Sequence, residues 1–151
     1  MSRGVSIRDI DPSKLGPNSP LLALMRRKPR RDLEHQSQVA LFEWAAENEA
    51  KHPDLHWLFA VPNGSYKSKA AAGRFKAEGL KPGVLDVWLP VARGAHPGLV
   101  IEMKIAPNRL TKDQEAWKGH LERQGWVVAV AYSSDQAIKT LSAYLSLKDD
   151  D

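Results

Sequence analysis

The 151-residue chain contains no cysteine. Disulfide frameworks, cysteine zinc sites and thiol nucleophiles are therefore excluded. No apolar run approaches the ~18 residues of a membrane span, and no apolar signal region follows the N-terminus. The expectation is a cytoplasmic protein with no membrane partner. Its five histidines, His35, His52, His56, His96 and His120, fall at no metal-ligand spacing and are assigned no chemistry. Acidic residues are scarce in one stretch: residues 67 to 81 hold Lys67, Lys69, Arg74, Lys76 and Lys81 against Glu78 alone.

What is present describes a globular domain. Hydrophobic residues make up 42%, and five tryptophans supply bulk for a core. At this length one domain buries a core without staples. Net charge is +4, and the cations are clustered, in the 67–81 stretch and in the "RRKPRR" run of Arg26, Arg27, Lys28, Arg30 and Arg31. The acids gather elsewhere, notably in the "KDDD" tail. Such asymmetry favours a nucleic acid over a membrane or a small molecule as partner.

Residues 1–32 carry proline, serine and basic residues with little periodicity, and are expected to form a poorly ordered basic arm with a helical turn at "LLALM". A helix is predicted from about Asp32 to Ala50, with Glu34, Gln38, Leu41 and Ala45 on one face. "LHWLFAV" reads as a strand stopped by Pro62-Asn63-Gly64, and a basic helix from about Tyr66 to Glu78 ends at Gly79. "GVLDVWLPV" is a second strand, with Leu85, Val87, Leu89 and Val91 on one face and Asp86 and Trp88 on the other. "GLVIEMKI" is a third, largely buried strand. Thr111-Lys112-Asp113-Gln114 has the capping-box pattern and opens a helix that Gly125 ends. "WVVAVAY" is a buried strand, and a last helix begins near Ser133 or Ser134. All five tryptophans fall within predicted elements and are assigned to the core. The order is α-β-α-β-β-α-β-α, an α/β single domain with a mixed sheet of about four strands flanked by helices.

The third strand poses a chemical question, because Glu102 and Lys104 share a face of an otherwise apolar run. If strands 84–91 and 98–105 form an antiparallel hairpin symmetric about Gly94, residues whose numbers sum to 188 lie opposite one another. Asp86 then faces Glu102. Like charges directly opposite destabilise a sheet. A hard divalent cation such as Mg²⁺ or Mn²⁺ between them converts that penalty into a binding site. Lys104 projects from the same face beside it. Two carboxylates, a cation and a lysine suit phosphodiester hydrolysis, in which the lysine stabilises charge developing on the phosphorane.

Asp86 followed by "EMK" at 102–104 resembles the PD-(D/E)xK pattern, and with it the restriction-endonuclease-like core. More narrowly, "LEHQSQVALFEWA", "VPNGSYKSKAAAGRFKAEGLKPGVLDVWLP", "GLVIEMK" and "LTKDQEAWKGHLERQGWVVAVAY" are similar to the VRR-NUC (virus-type replication-repair nuclease) family over about residues 33 to 145. The resemblance implies a nuclease domain over 33–147, between the basic arm (1–32) and an acidic tail (148–151). It further implies a divalent-metal endonuclease for branched DNA, of the phage Holliday-junction-resolving type and homodimeric. Asp86 and Glu102 then look like metal ligands, with the Met103 carbonyl and Glu34 beside them, and Lys104 like the catalytic lysine. Gln114 resembles the glutamine that follows the motif. Leu85 stands where the family usually has proline. That proline would shape backbone and supply no catalytic group, so activity is expected to survive its absence.

Blander accounts stand beside these. A structural Lys–carboxylate pair would explain Asp86, Glu102 and Lys104; a first-turn acid favoured by the helix dipole would explain Glu34; capping alone would explain Gln114. Asn63, Gly64 and Ser65 form a turn whose backbone amides suit a phosphate. Lys67, Lys69 and Arg74, with Gln38 on the first helix, are candidate DNA contacts on what could be a plain solvated face. The competing functions are a catalytically silent DNA-binding module, a nuclease for flaps or other DNA structures, and a non-enzymatic protein that binds an acidic partner.

Overall fold

The computed structural model describes residues 11–25, 30–62 and 68–148. Its elements run α1 (Pro20–Met25), α2 (Arg30–Asn48), β1 (Phe59–Ala60), α3 (Lys69–Ala77), β2 (Val87–Leu89), β3 (Leu99–Met103), α4 (Lys112–Arg123), β4 (Val127–Ala131) and α5 (Ser134–Leu145). The strands form one mixed sheet in the order β1-β2-β3-β4, antiparallel between the first three and parallel between β3 and β4. This is the α/β architecture expected from the sequence.

The central strand, β3, is buried on both faces, and its alternation sorts the core into two layers. Leu99, Ile101 and Met103 join Val87 and Leu89 against Leu41 and Ala45 of α2 and Ala137, Leu141 and Tyr144 of α5. Val100 faces the other way, onto Leu85 and Leu121 of α4, with Trp88, Trp117, Trp126 and Val128 around them. Helices α2 and α5 therefore cover one face and α4 the other. Glu102 shares the face of Val100, on the α4 side.

Local chemistry explains the helix ends. Ser68, Thr111 and Ser133 each cap a helix by accepting a backbone N–H three residues on. Gly79 and Gly125 follow α3 and α4 at φ +97° and +86°, a conformation that costs glycine nothing.

Three expectations need correction. "LHWLFAV" is mostly not a strand: Pro53–Trp57 forms a 3-10 helix, and β1 spans two residues. Pro53 at the first helical position and Asp54 in the first turn favour helical over extended backbone there. Trp57 consequently projects outward, 60% exposed, rather than joining the core. Leu85 does not share the face of Val87 and Leu89, because the chain bends at Asp86 before β2 begins. Within the N-terminal arm, Pro12–Lys14 forms a 3-10 turn, the expected "LLALM" helical turn is α1, and Leu22 is buried, as the apolar member of such a turn prefers to be.

The hairpin register is the expected one. Val87 pairs with Ile101, Trp88 with Val100 and Leu89 with Leu99, each pair summing to 188. The turn itself is displaced: Arg93 bridges His96, which sum to 189, so the β2 side carries one extra residue between Leu89 and Arg93. Pro90 and Pro97 lack the N–H needed to continue the ladder, and the slip falls in that stretch. The loop is pinned by an Arg93–Asp54 ion pair, by the Tyr144 hydroxyl donating to the Val91 carbonyl (2.7 Å) and by a 2.8 Å hydrogen bond between His96 Nδ1 and the Gly125 carbonyl.

Gly98, at the entry to β3, lies under the Trp126 indole, where a Cβ would sit 2.2 Å from a ring carbon. Gly98→Ala should therefore destabilise the fold by about 1–3 kcal/mol through overpacking. Urea denaturation of both proteins measures this, and an unchanged midpoint would contradict the packing described.

Candidate active site

The bend that ends the approach to β2 sets Asp86 beside Glu102. At this row the ladder is completed by side chains. The Asp86 backbone N–H donates to Glu102 Oε2 (3.2 Å), and the Met103 N–H donates to Asp86 Oδ2 (2.9 Å). Each carboxylate thus accepts from the backbone of the opposite strand, and the two acids are held together by reciprocal contacts. Lys104, next on the same face of β3, places Nζ 3.3 Å from Glu102 Oε1. Glu102 is 2% exposed and the Lys104 side chain 11%. The expected convergence of Asp86, Glu102 and Lys104 is realised.

Gln114 joins them by an economical use of its amide. Its Oε1 accepts from the Thr111 N–H (3.0 Å) while its own N–H donates to Thr111 Oγ1 (3.2 Å), completing the capping box. With the oxygen occupied, the amide nitrogen is left to donate to Glu102 Oε1 at 2.6 Å. Capping and site contact, alternatives in the sequence, are both made.

What brings α4 so close is a clamp that sequence reasoning missed. Gly83 has φ +73°, and a Cβ there would lie 2.4 Å from Asp113 Cβ and 2.8 Å from the Gln114 backbone nitrogen. Trp117 Nε1 donates to the Pro82 carbonyl (3.1 Å), and Trp88 Nε1 to the Leu85 carbonyl (2.8 Å). The segment 82–85, which delivers Asp86, is thereby fastened to α4 and to the sheet. The "KPG" tripeptide carried the only sequence signal, a turn able to adopt positive φ.

The other candidates lie apart. Glu34 and Gln38 are half-buried on α2. Among the described residues no three His, Asp or Glu side chains are grouped as a metal site, so Glu34 does not join Asp86 and Glu102 in this arrangement. The Met103 side chain is buried in the α2/α5 layer, and its backbone is what reaches the site. Lys69 and Arg74 are exposed on α3, Arg74 in an ion pair with Glu78 (3.2 Å). Asn63, Gly64, Ser65 and Lys67 lie outside the described residues.

Burial, then the negative charge of Asp86, push the Glu102 carboxyl up to about 8, against the opposing pull of Lys104. A hydrogen bond with Asp86 that only protonated Glu102 can donate adds to the rise.

The chain matches the VRR-NUC domain family model over residues 32–135, more than half its length. It belongs to the VRR-NUC family. A solved structure of a "VRR_NUC domain protein" is similar to it at 28% sequence identity and a TM-score of 0.66, covering 78% of this chain and 92% of that one. Among curated proteins none matches. VRR-NUC domains are nucleases, and the family assignment carries a nuclease activity with DNA binding to this chain. Asp86, Glu102 and Lys104 fall within the matched VRR-NUC region.

The raised Glu102 carboxyl has a consequence for stability. Its folded value, about 8, exceeds the ordinary 4.5, so between these limits the folded state binds more protons than the unfolded one. Without a divalent cation, stability should fall as pH rises from about 4.5 to about 8, and Glu102→Gln should flatten that slope. Urea denaturation across this range in chelator-containing buffer is the check. An equal slope in the variant would contradict the electrostatic account.

Proposed function

We propose that this VRR-NUC protein is a divalent-metal-dependent endonuclease that hydrolyses phosphodiester bonds in branched DNA, four-way junctions included, as a homodimer using Mg²⁺ or Mn²⁺. The observation that carries this is the Asp86–Glu102 pair, each acid accepting from the backbone of the other's strand, with Lys104 3.3 Å from the buried Glu102. The donor set fits a hard cation. Both acids are oxygen ligands, and burial, then the negative charge of Asp86, pushes the Glu102 carboxyl up. Asp86 and Glu102 would hold the metal, with the Met103 carbonyl as a further donor that the family resemblance suggests; Glu34, which it also suggests, is not grouped with them in this arrangement.

A bound divalent ion at such a site polarises the scissile phosphate and lowers the pKa of a water molecule. The protein's own groups do the rest. The Lys104 ammonium, tethered by Glu102, donates to phosphate oxygen and offsets negative charge as it grows in the phosphorane. Few waters compete for it at 11% exposure, so its field is strong there. Gln114 fixes the Glu102 carboxylate from the α4 side, keeping the ligand in place while the phosphate reacts. Lys69 and Arg74 on α3 neutralise phosphates away from the cut, with Asn63, Gly64, Ser65 and Lys67 as the contacts proposed for the preceding turn and Gln38 for α2. Paired cuts across a junction need two active sites, which a symmetric dimer supplies.

Incubation of the purified protein with Mg²⁺ or Mn²⁺ and fluorescent four-way, flap and duplex DNA should give cleavage of the branched substrates. Lys104→Ala should cut at least about 100-fold more slowly while binding DNA nearly as well by fluorescence anisotropy. Absence of cleavage on every substrate, or a variant that cuts like the parent, would overturn the proposal. DNA binding without cleavage would point to the catalytically silent module.

A further inference from the structure

An exposed aromatic residue on the active-site face of the sheet has no role in the chemistry above. Phe59 pairs with Trp88 across the β1–β2 ladder, and directly opposed residues project from the same side. Trp88 packs with Leu85, Val100 and Leu121, so Phe59 faces the α4 layer where Glu102 lies. Alternation agrees: Leu58 packs into the opposite layer, and Ala60 pairs with Val87 of that layer. The row beyond contains Asp86, whose carbonyl accepts from the Val61 N–H (2.8 Å). Phe59 is therefore one strand and two rows from Asp86, about 5 Å across and about 7 Å along the sheet.

Unlike its row partner, Phe59 is not absorbed by the core. It is 46% exposed on an edge strand two residues long. A flat, exposed apolar ring two rows from the Asp86 carboxylate, beside a phosphodiester-cleaving centre, suits a nucleobase.

We propose that Phe59 is a stacking platform for a base displaced from its pair next to the scissile phosphate, which favours substrates with unpaired nucleotides at the point of cleavage. This rests on the nuclease reading above and names the feature of DNA that the site selects.

The test places 2-aminopurine beside the cleavage point of a branched DNA and binds it with Lys104→Ala protein, so that the probe stays uncut. Stacking quenches the probe in this protein. Adding Phe59→Ala or Phe59→Leu should abolish the quenching, whereas Phe59→Trp should retain it. Leucine keeps the apolar volume of the edge and lacks only the ring. With Lys104 intact, Phe59→Ala should slow cleavage of branched DNA by about 10-fold at limiting enzyme. Quenching that survives in Phe59→Ala and Phe59→Leu would overturn the proposal. So would a change confined to self-association in sedimentation, which would make Phe59 a contact with a second copy of the chain. The two readings separate cleanly. Quenching that requires Phe59, with no cleavage by the parent, upholds stacking and removes the nuclease. Cleavage that ignores Phe59 does the reverse.

Discussion

Two short strands must pair in one register for Asp86 to meet Glu102, and the site depends on that pairing. A one-residue slip would turn every side chain of β2 to the opposite face and separate the acids across the sheet. The observed pairs, Val87–Ile101, Trp88–Val100 and Leu89–Leu99, leave Asp86 and Glu102 as the next row. Burial enforces the choice. Both faces of β3 are covered, so a slipped register would drive Glu102 into the apolar layer of Leu41 and Leu141. Stability and chemistry thus select the same alignment.

Around that row the protein spends backbone geometry rather than additional acids. The carboxylates are aimed by N–H groups of the opposing strand, and Gln114 adds a third direction from α4. Gly83 and Trp117 hold the segment leading to Asp86 against the same helix. Strand, turn and helix consequently move as one unit at the site, the rigidity that precise placement of a reacting phosphate requires. Lys104 partners the buried Glu102 at 3.3 Å.

Much of this was legible in the residues. Alternation in "GLVIEMKI" gave a strand buried on both faces, and the sum of 188 gave the pairing of Asp86 with Glu102 although the turn lies one residue away from the assumed centre. That success owed something to Pro90 and Pro97, which confine the slip to the loop. The Thr111–Gln114 capping box and the glycine stops at Gly79 and Gly125 located ends of α3 and α4. What escaped was set by tertiary context. The "LHWLFAV" run, which overlaps the 3-10 helix at Pro53–Trp57, has a strand-like composition, and its exposed Trp57 cannot be told from a core tryptophan by sequence. The Leu85 switch depends on a bend at Asp86 that no local pattern announces. Gln114 has two hydrogen-bonding ends, and only the approach of α4 to β3 shows that both are used.

Anomalous diffraction from crystals grown with Mn²⁺ addresses the central claim most directly, because it locates the ion without reference to activity. The account predicts a peak about 2 Å from carboxylate oxygens of both Asp86 and Glu102. Manganese bound only elsewhere, or absent at concentrations that saturate the protein, would contradict it.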